Sequence, residues 1–201
     1  MIVTVAGLKG GTGKTTLSVS VAEAAAERYG RALLVDADAQ GSTMAWAELA
    51  EEAGTPLISA AVALPTRDLA RRLDAIGAAR YEVVVIDSPP GDARVTAAAL
   101  AVADVVLVPA RPTPADMSRV WTTVEAAEAA GKRALVVLSQ VRGATRALAA
   151  TEEALATEDQ RVAETVYPLR EAIAAAFGHR PSGLLAETAR ALLDEIEKEK
   201  P

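Results

Sequence analysis

Apolar residues in this chain gather into short continuous blocks separated by segments of helical spacing. Ile2–Ala6, Ala32–Val35, Val83–Ile86 and Ala103–Val108 are apolar almost throughout. Blocks of that length, bounded by turn residues, read as strands covered on both faces, the pattern of a parallel sheet. A helix follows the first block and is completed by Ala22–Tyr29, with Gly30 placed to end it. Helices are also predicted over Ser42–Ala53 and Pro65–Ala79, the second marked by Leu69, Leu73 and Ile76. A short strand is expected between them at Pro56–Ala61. Thr113, Pro114 and Asp116 supply an N-cap, a first-turn proline and a third-position acid, so a helix must start there. The rest reads as a strand at Arg133–Ser139, a helix at Thr145–Ala156, a short strand at Val162–Val166, and helices at Pro168–Phe177 and Leu184–Glu197. Strands alternating with helices predict an α/β fold: a doubly wound, mostly parallel sheet flanked by helices, in one domain over residues 1–201.

Composition narrows the chemistry. The 201 residues are 51% hydrophobic but only 3% aromatic, so Ala, Val, Leu and Ile must fill the core. There is no cysteine, which excludes disulfides, thiolate metal sites and cysteine nucleophiles. A single histidine, His179, excludes a multi-histidine metal site, and its Phe-Gly-His-Arg-Pro setting reads as a surface turn. Met1 runs straight into the first strand with no secretory pattern, and no run of about eighteen apolar residues occurs, so a soluble cytoplasmic protein is expected. The net charge of −6 gives no global support for nucleic-acid binding, and any DNA site must be a local basic patch. Arg67, Arg71 and Arg72 read as a solvated helix face.

The chemistry concentrates between the first strand and the first helix, at Lys9-Gly10-Gly11-Thr12-Gly13-Lys14-Thr15-Thr16. Glycines there let backbone N–H groups close on an anion at a helix N-terminus. Lys14 can reach β- and γ-phosphates, and the Thr15 hydroxyl can ligate Mg²⁺. The strict G-x-x-x-x-G-K-[ST] pattern fails, because Leu8 stands where its first glycine belongs. Only five of the 21 basic side chains are lysines (Lys9, Lys14, Lys132, Lys198, Lys200), and two of them sit in this loop. Holding one nucleotide needs one such cation, so Lys9 has a separate task.

Two further acidic segments follow strands. Asp36 and Asp38 lie in Asp36-Ala37-Asp38-Ala39-Gln40-Gly41. Carboxylates at i and i+2 on a strand end point the same way, toward the rim where open α/β sheets bind ligands. Beside phosphates they would either hold metal-bound water or orient an attacking water. The strand Val83–Ile86 ends in Asp87-Ser88-Pro89-Pro90-Gly91, placing a carboxylate where it can hold Mg²⁺ through water, followed by a stiff turn.

These three segments, in this order, resemble the ParA/MinD family of deviant P-loop ATPases, whose loop reads K-G-G-x-G-K-[ST]. The resemblance covers about the first half of the chain and fades after Asp116. It implies that residues 9–16 bind ATP, and that Lys9 reaches across a dimer interface to the nucleotide of the other subunit. Asp38 then matches the residue implicated in hydrolysis, joining Lys9 and Lys14 as catalytic, and Asp36 the residue near the magnesium shell; Thr15, Asp36 and Asp87 are the implied metal set. Ala39 replaces the usual proline of D-x-D-P-Q and loosens that turn, and Ser88 replaces a frequent cysteine. Pro112 and Asp116 match the P-x-x-x-D segment near the adenosine and the dimer interface, and Gln140 lies where relatives contact the base.

With no helix-turn-helix ahead of the first strand, the chain looks like the short ParA type used by plasmids. The function implied is an ATP-dependent partition ATPase. It would form a homodimer with ATP and Mg²⁺, bind double-stranded DNA without sequence preference, and be stimulated by a ParB-type centromere-binding protein. Such a protein is cytoplasmic and nucleoid-associated. Arg142, Arg146, Arg170, Arg180 and Arg190 are the candidate DNA contacts, each interleaved with glutamates. A relative positioning another cargo, such as a chemoreceptor cluster or microcompartment, is the alternative. A metabolic P-loop phosphotransferase is a third reading, against which no substrate domain is found and Lys9 would be idle. The tail sets five acidic residues against Arg190, Lys198 and Lys200, opposite to the basic face that a membrane-targeting helix needs.

Overall fold

The computed structural model describes residues 1–199, so Lys200 lies outside the described residues. Seven strands form one sheet: β1 Ile2–Val5, β2 Ala32–Asp36, β3 Ala60–Ala63, β4 Val83–Asp87, β5 Val105–Ala110, β6 Arg133–Val141 and β7 Tyr167–Pro168. Their order is β3-β2-β4-β1-β5-β6-β7, and every pairing is parallel. All residues of β2, β4 and β5 are buried, as their uninterrupted apolar sequences require. Period-two alternation sorts their side chains. Val83 and Val85 face a core shared with α1 (Lys14–Tyr29) and α8 (Gly183–Lys198). Val84 and Ile86 face the opposite side, packed with α3 (Leu69–Ala75) and α4 (Ala93–Val102). The second half of that opposite face is covered by α5 (Pro114–Ala129) and α6 (Arg146–Thr157).

Several predicted boundaries move, each for a local reason. The strand expected at Pro56–Ala61 begins only at Ala60, because the buried Glu23 carboxylate takes the amides of Ile58 and Ser59, each at 2.9 Å. The helix expected over Pro65–Ala79 is confined to α3, closed by Gly77 at φ 70° and a 3₁₀ turn at Ala78–Arg80. Val162–Val166 makes only a single bridge, Val162 to Val136, since Glu195 captures the amides of Glu164 and Thr165. Tyr167 and Pro168 join the sheet instead, which shortens the helix expected at Pro168–Phe177 to α7, Glu171–Ala174. The strand expected to end at Ser139 continues through Gln140, at φ 54°, to Val141. Helix α4 was not anticipated; Asp92 caps it by accepting from the amides of Arg94 and Val95. The capped start at Thr113, Pro114 and Asp116 is observed as expected. Helix α2 (Ser42–Glu52) lies beside the C-terminal rim of the sheet, where the segments following β1, β2, β4 and β5 converge. Among the described residues no helix is long and apolar enough to cross a membrane.

Candidate functional site

The glycine-rich loop leaves the central strand β1 and turns into α1 through two glycines in left-handed conformation, Gly11 at φ 73° and Gly13 at φ 91°. Gly13 offers no side chain to cap α1, so the first-turn N–H groups stay available to an anion. Gly10, Gly11, Gly13, Lys14, Thr15 and Thr16 line a groove of about 480 Å³, with Asp38 and Asp87 across from them. Thr12 lies buried beneath the loop. Lys14 is also buried, and its ammonium donates to the Lys9 carbonyl at 2.9 Å. No carboxylate among the described residues forms an ion pair with it. Burial pushes its pKa down, against the opposing pull of Asp87 and Asp38. A buried cation in an amide-lined groove suits the binding of an anion.

Asp87, at the end of β4, is 2% exposed. It accepts from Thr15 Oγ1 at 2.7 Å, Ser18 Oγ at 3.2 Å and Thr43 Oγ1 at 2.8 Å. Burial raises its pKa to about 6, with the Asp36 charge adding to the rise and the hydroxyls and Lys14 opposing it. Thr15 and Asp87 are hard oxygen donors of the kind Mg²⁺ takes, and among the described residues no cluster of three acidic or histidine ligands exists. A magnesium ion here would complete its shell with phosphate oxygens and water, which fits this donor set. The hydroxyl of Ser88, which borders the groove, is the one buried side-chain polar atom among the described residues without a hydrogen-bond partner.

Asp36 stands beside Asp87 as its register partner on the adjacent strand but does not reach the groove. Fully buried, it accepts from the amide of Asp38 on one oxygen and from those of Thr43 and Met44 on the other, at 3.0–3.1 Å. Its carboxylate anchors the start of α2 and does not line the groove. Asp38 does line it, half-buried, and accepts from the Gln40 amide at 3.0 Å.

Asp116 and Pro112 do not line the groove either. Asp116 is 2% exposed and pairs with the Lys9 ammonium. It also accepts from Arg111 Nε at 2.7 Å and Thr113 Oγ1 at 2.8 Å. Burial would raise its pKa, yet the hydrogen bonds from Arg111, Lys9 and Thr113 outweigh it and bring the carboxyl to about 2. With both oxygens occupied, Asp116 holds Lys9 and contacts no part of the phosphate groove.

Next to the groove lies an apolar cavity of about 370 Å³. Gln140 borders both, donating to the Gly11 carbonyl at 2.7 Å. Trp46, Tyr167 and Phe177, half of the six aromatic residues, line it together with Leu169 and Arg170. Trp46 and Phe177 rings meet at 5.2 Å, and the Trp46 indole donates to the His179 carbonyl at 2.8 Å. An apolar, aromatic-lined cavity of this size can take a small organic ligand. Sequence reasoning missed this cavity; the concentration of scarce aromatics was the available signal.

Two of the five candidate arginines are engaged within the chain. Arg180 donates to the Pro56 carbonyl at 2.7 Å, and Arg190 pairs with Glu27 at 3.0 Å on the outer face of α1 and α8. Arg142, Arg146 and Arg170 are exposed and without an ion-pair partner among the described residues.

Residues 3–181 match the model of the CobQ/CobB/MinD/ParA nucleotide binding domain. The chain is 33% identical over 163 residues to the maintenance of carboxysome distribution protein A of Halothiobacillus neapolitanus, spanning 75% of this chain and 73% of that one. The protein of the same name from Gloeobacter kilaueensis is 40% identical over 128 residues, 63% of this chain and just over half (56%) of the relative. Among solved structures, a putative plasmid partition protein from Borrelia burgdorferi bound to AMPPNP superposes with TM-score 0.80 at 17% identity, and the cell division ATPase MinD of Pyrococcus furiosus with 0.75 at 22%, each covering 98% of both chains. Apo McdA from Cyanothece gives 0.71 at 16%, again covering 98% of both. At these identities the superpositions establish a shared fold.

Proposed function

The chain belongs to the CobQ/CobB/MinD/ParA nucleotide-binding family, and we propose that it is an ATP-driven positioning switch whose cargo is a protein assembly rather than a plasmid. The observation that carries the choice of cargo is the 33% identity to a carboxysome distribution protein over 73% of that relative's length. The plasmid-partition likeness rests on 17% identity and supports the fold.

In this reading the loop amides and Lys14 bind the phosphates, and the apolar cavity under Trp46 and Phe177 takes the base, flanked by Gln140. Thr15 and Asp87 hold magnesium, whose chemistry is to neutralise charge developing on the phosphates. Asp38, half-buried at the groove wall, orients the attacking water. Lys9 serves the nucleotide of a second copy, so it must leave Asp116; Arg111 and Thr113 then keep Asp116 ionised and satisfied.

The ATP-bound pair would hold nucleoid DNA as a track through Arg142, Arg146 and Arg170, doubled by the dimer. An adaptor on the cargo would take the place of a ParB-type protein and stimulate hydrolysis. Deleting the gene in its native host tests the cargo. Even spacing of a protein assembly should collapse while plasmid retention is unchanged; plasmid loss with normal spacing would return the partition reading.

A further inference from the structure

Helix α2 begins where two buried carboxylates meet. Asp36 and Asp87 are register partners on adjacent strands, 0% and 2% exposed. Thr43, itself fully buried, is bonded to both: its amide donates to Asp36 Oδ2 at 3.0 Å and its hydroxyl to Asp87 Oδ2 at 2.8 Å. That same Asp87 oxygen accepts from Thr15 Oγ1 at 2.7 Å. Three residues along the helix, Trp46 borders both the phosphate groove and the apolar cavity. Residues at i and i+3 share a helix face, so one face of α2 touches the metal-side carboxylate at one end and the base cavity at the other.

We propose that Thr43 is a positioning residue for the magnesium–phosphate end of the site, and that through α2 it sets the placement of Trp46 over the base cavity. This inference rests on the nucleotide reading above. Thr15 can offer its hydroxyl lone pair to a cation only by turning its proton away from Asp87. Thr43 is then the remaining donor on that carboxylate oxygen, and it resists rotation of Asp87 against the charge of Asp36. Its amide is fixed by Asp36, so the reach of its hydroxyl is set by the start of the helix. A change in Asp87 therefore passes to the first turn of α2, and from there to the indole one turn on. No local sequence pattern marks Thr43, because its two partners come from different strands.

The experiment places T43V and T43S in a W121F background, which leaves Trp46 as the only indole. ATP affinity and Trp46 emission are followed as Mg²⁺ is titrated from an EDTA-treated start. T43V, equal in shape but without the hydroxyl, should need about tenfold more Mg²⁺ for half-maximal effect and lose the emission change, as expected for removing a hydrogen bond to a charged group. T43S should stay within about threefold of the parent, since serine keeps the donor. If T43V does not fold, T43A carries the same expectation. T43V titrating like the parent would overturn the inference, as would T43S failing as badly as T43V, which would trace the effect to the buried methyl. A parent chain that binds no ATP at any Mg²⁺ level would overturn the nucleotide reading and this inference with it, whereas normal binding with unchanged metal dependence in T43V overturns the inference alone.

Discussion

Asp87 ends β4 and Asp116 follows β5, the two neighbours of β1, so they flank the glycine-rich loop that leaves it. Both are 2% exposed, and both start from an ordinary value of 3.8, yet their carboxyls shift in opposite directions, to about 6 and about 2. Burial acts on each in the same sense. What differs is the company. Asp116 has two cations from its own chain, Lys9 and Arg111, besides a hydroxyl. Asp87 has three hydroxyls, a second aspartate at its side, and only the more distant Lys14 in its favour. The Asp116 side is electrostatically complete in the single chain and stores a lysine. The Asp87 side is poorer in positive charge within the chain, and in the proposed function a cation arriving with phosphate would complete it.

The strongest way to break this contrast is Lys14→Ala, which removes the one ammonium serving the unfinished side. Nucleotide affinity should fall roughly a hundredfold, the worth of a charge-assisted contact in a buried groove. Equilibrium titration with a fluorescent ATP analogue measures it, and wild-type affinity would remove the basis for the phosphate assignment.

Asp116→Asn probes the completed side. A carboxyl held at about 2 instead of 3.8 stabilises the fold above pH 4, and that stability is lost as pH falls toward 2. The variant should be roughly 2 kcal/mol less stable at pH 7 by urea unfolding, with the gap closing on acidification. A gap that is constant with pH would mean packing, not charge, is at stake.

Asp87→Asn should do the reverse, by a smaller amount. The raised carboxyl binds its proton more readily when folded, so wild-type stability declines as pH rises from about 4 to about 6 and stays lowered above. Without nucleotide the variant should gain about 1 kcal/mol at pH 7.5, part of the relieved charge being offset by poorer acceptance from Thr15, Ser18 and Thr43. The gain should vanish near pH 4. A destabilised variant at pH 7.5 would show that Asp87 is already balanced within the chain.

Much of this was legible in the sequence because it is local. The buried strands announce themselves as apolar blocks, and the loop from Lys9 to Thr16 with its following carboxylates, Asp38 and Asp87, can be read residue by residue. What was not legible is long-range. Lys9 and Asp116 are 107 residues apart, and nothing near either predicts the pair. Asp36 reads as a metal residue in the sequence, where nothing shows that two amides of α2 take one of its oxygens and the amide of Asp38 the other. Glu23 suppresses a strand 35 residues away by taking its first amides. Helix α4 escaped notice because Ala93–Val102 is apolar with little polar interruption, leaving Asp92 as its only marker.

Molar mass by light scattering tests the nucleotide switch most directly. The wild-type chain should run as a single copy with ADP and double with ATP, while Lys9→Ala should bind ATP and stay single, as the proposed service of Lys9 to the second copy requires. Equal masses for the wild type in ADP and ATP, or normal ATP-dependent doubling of Lys9→Ala, would contradict it.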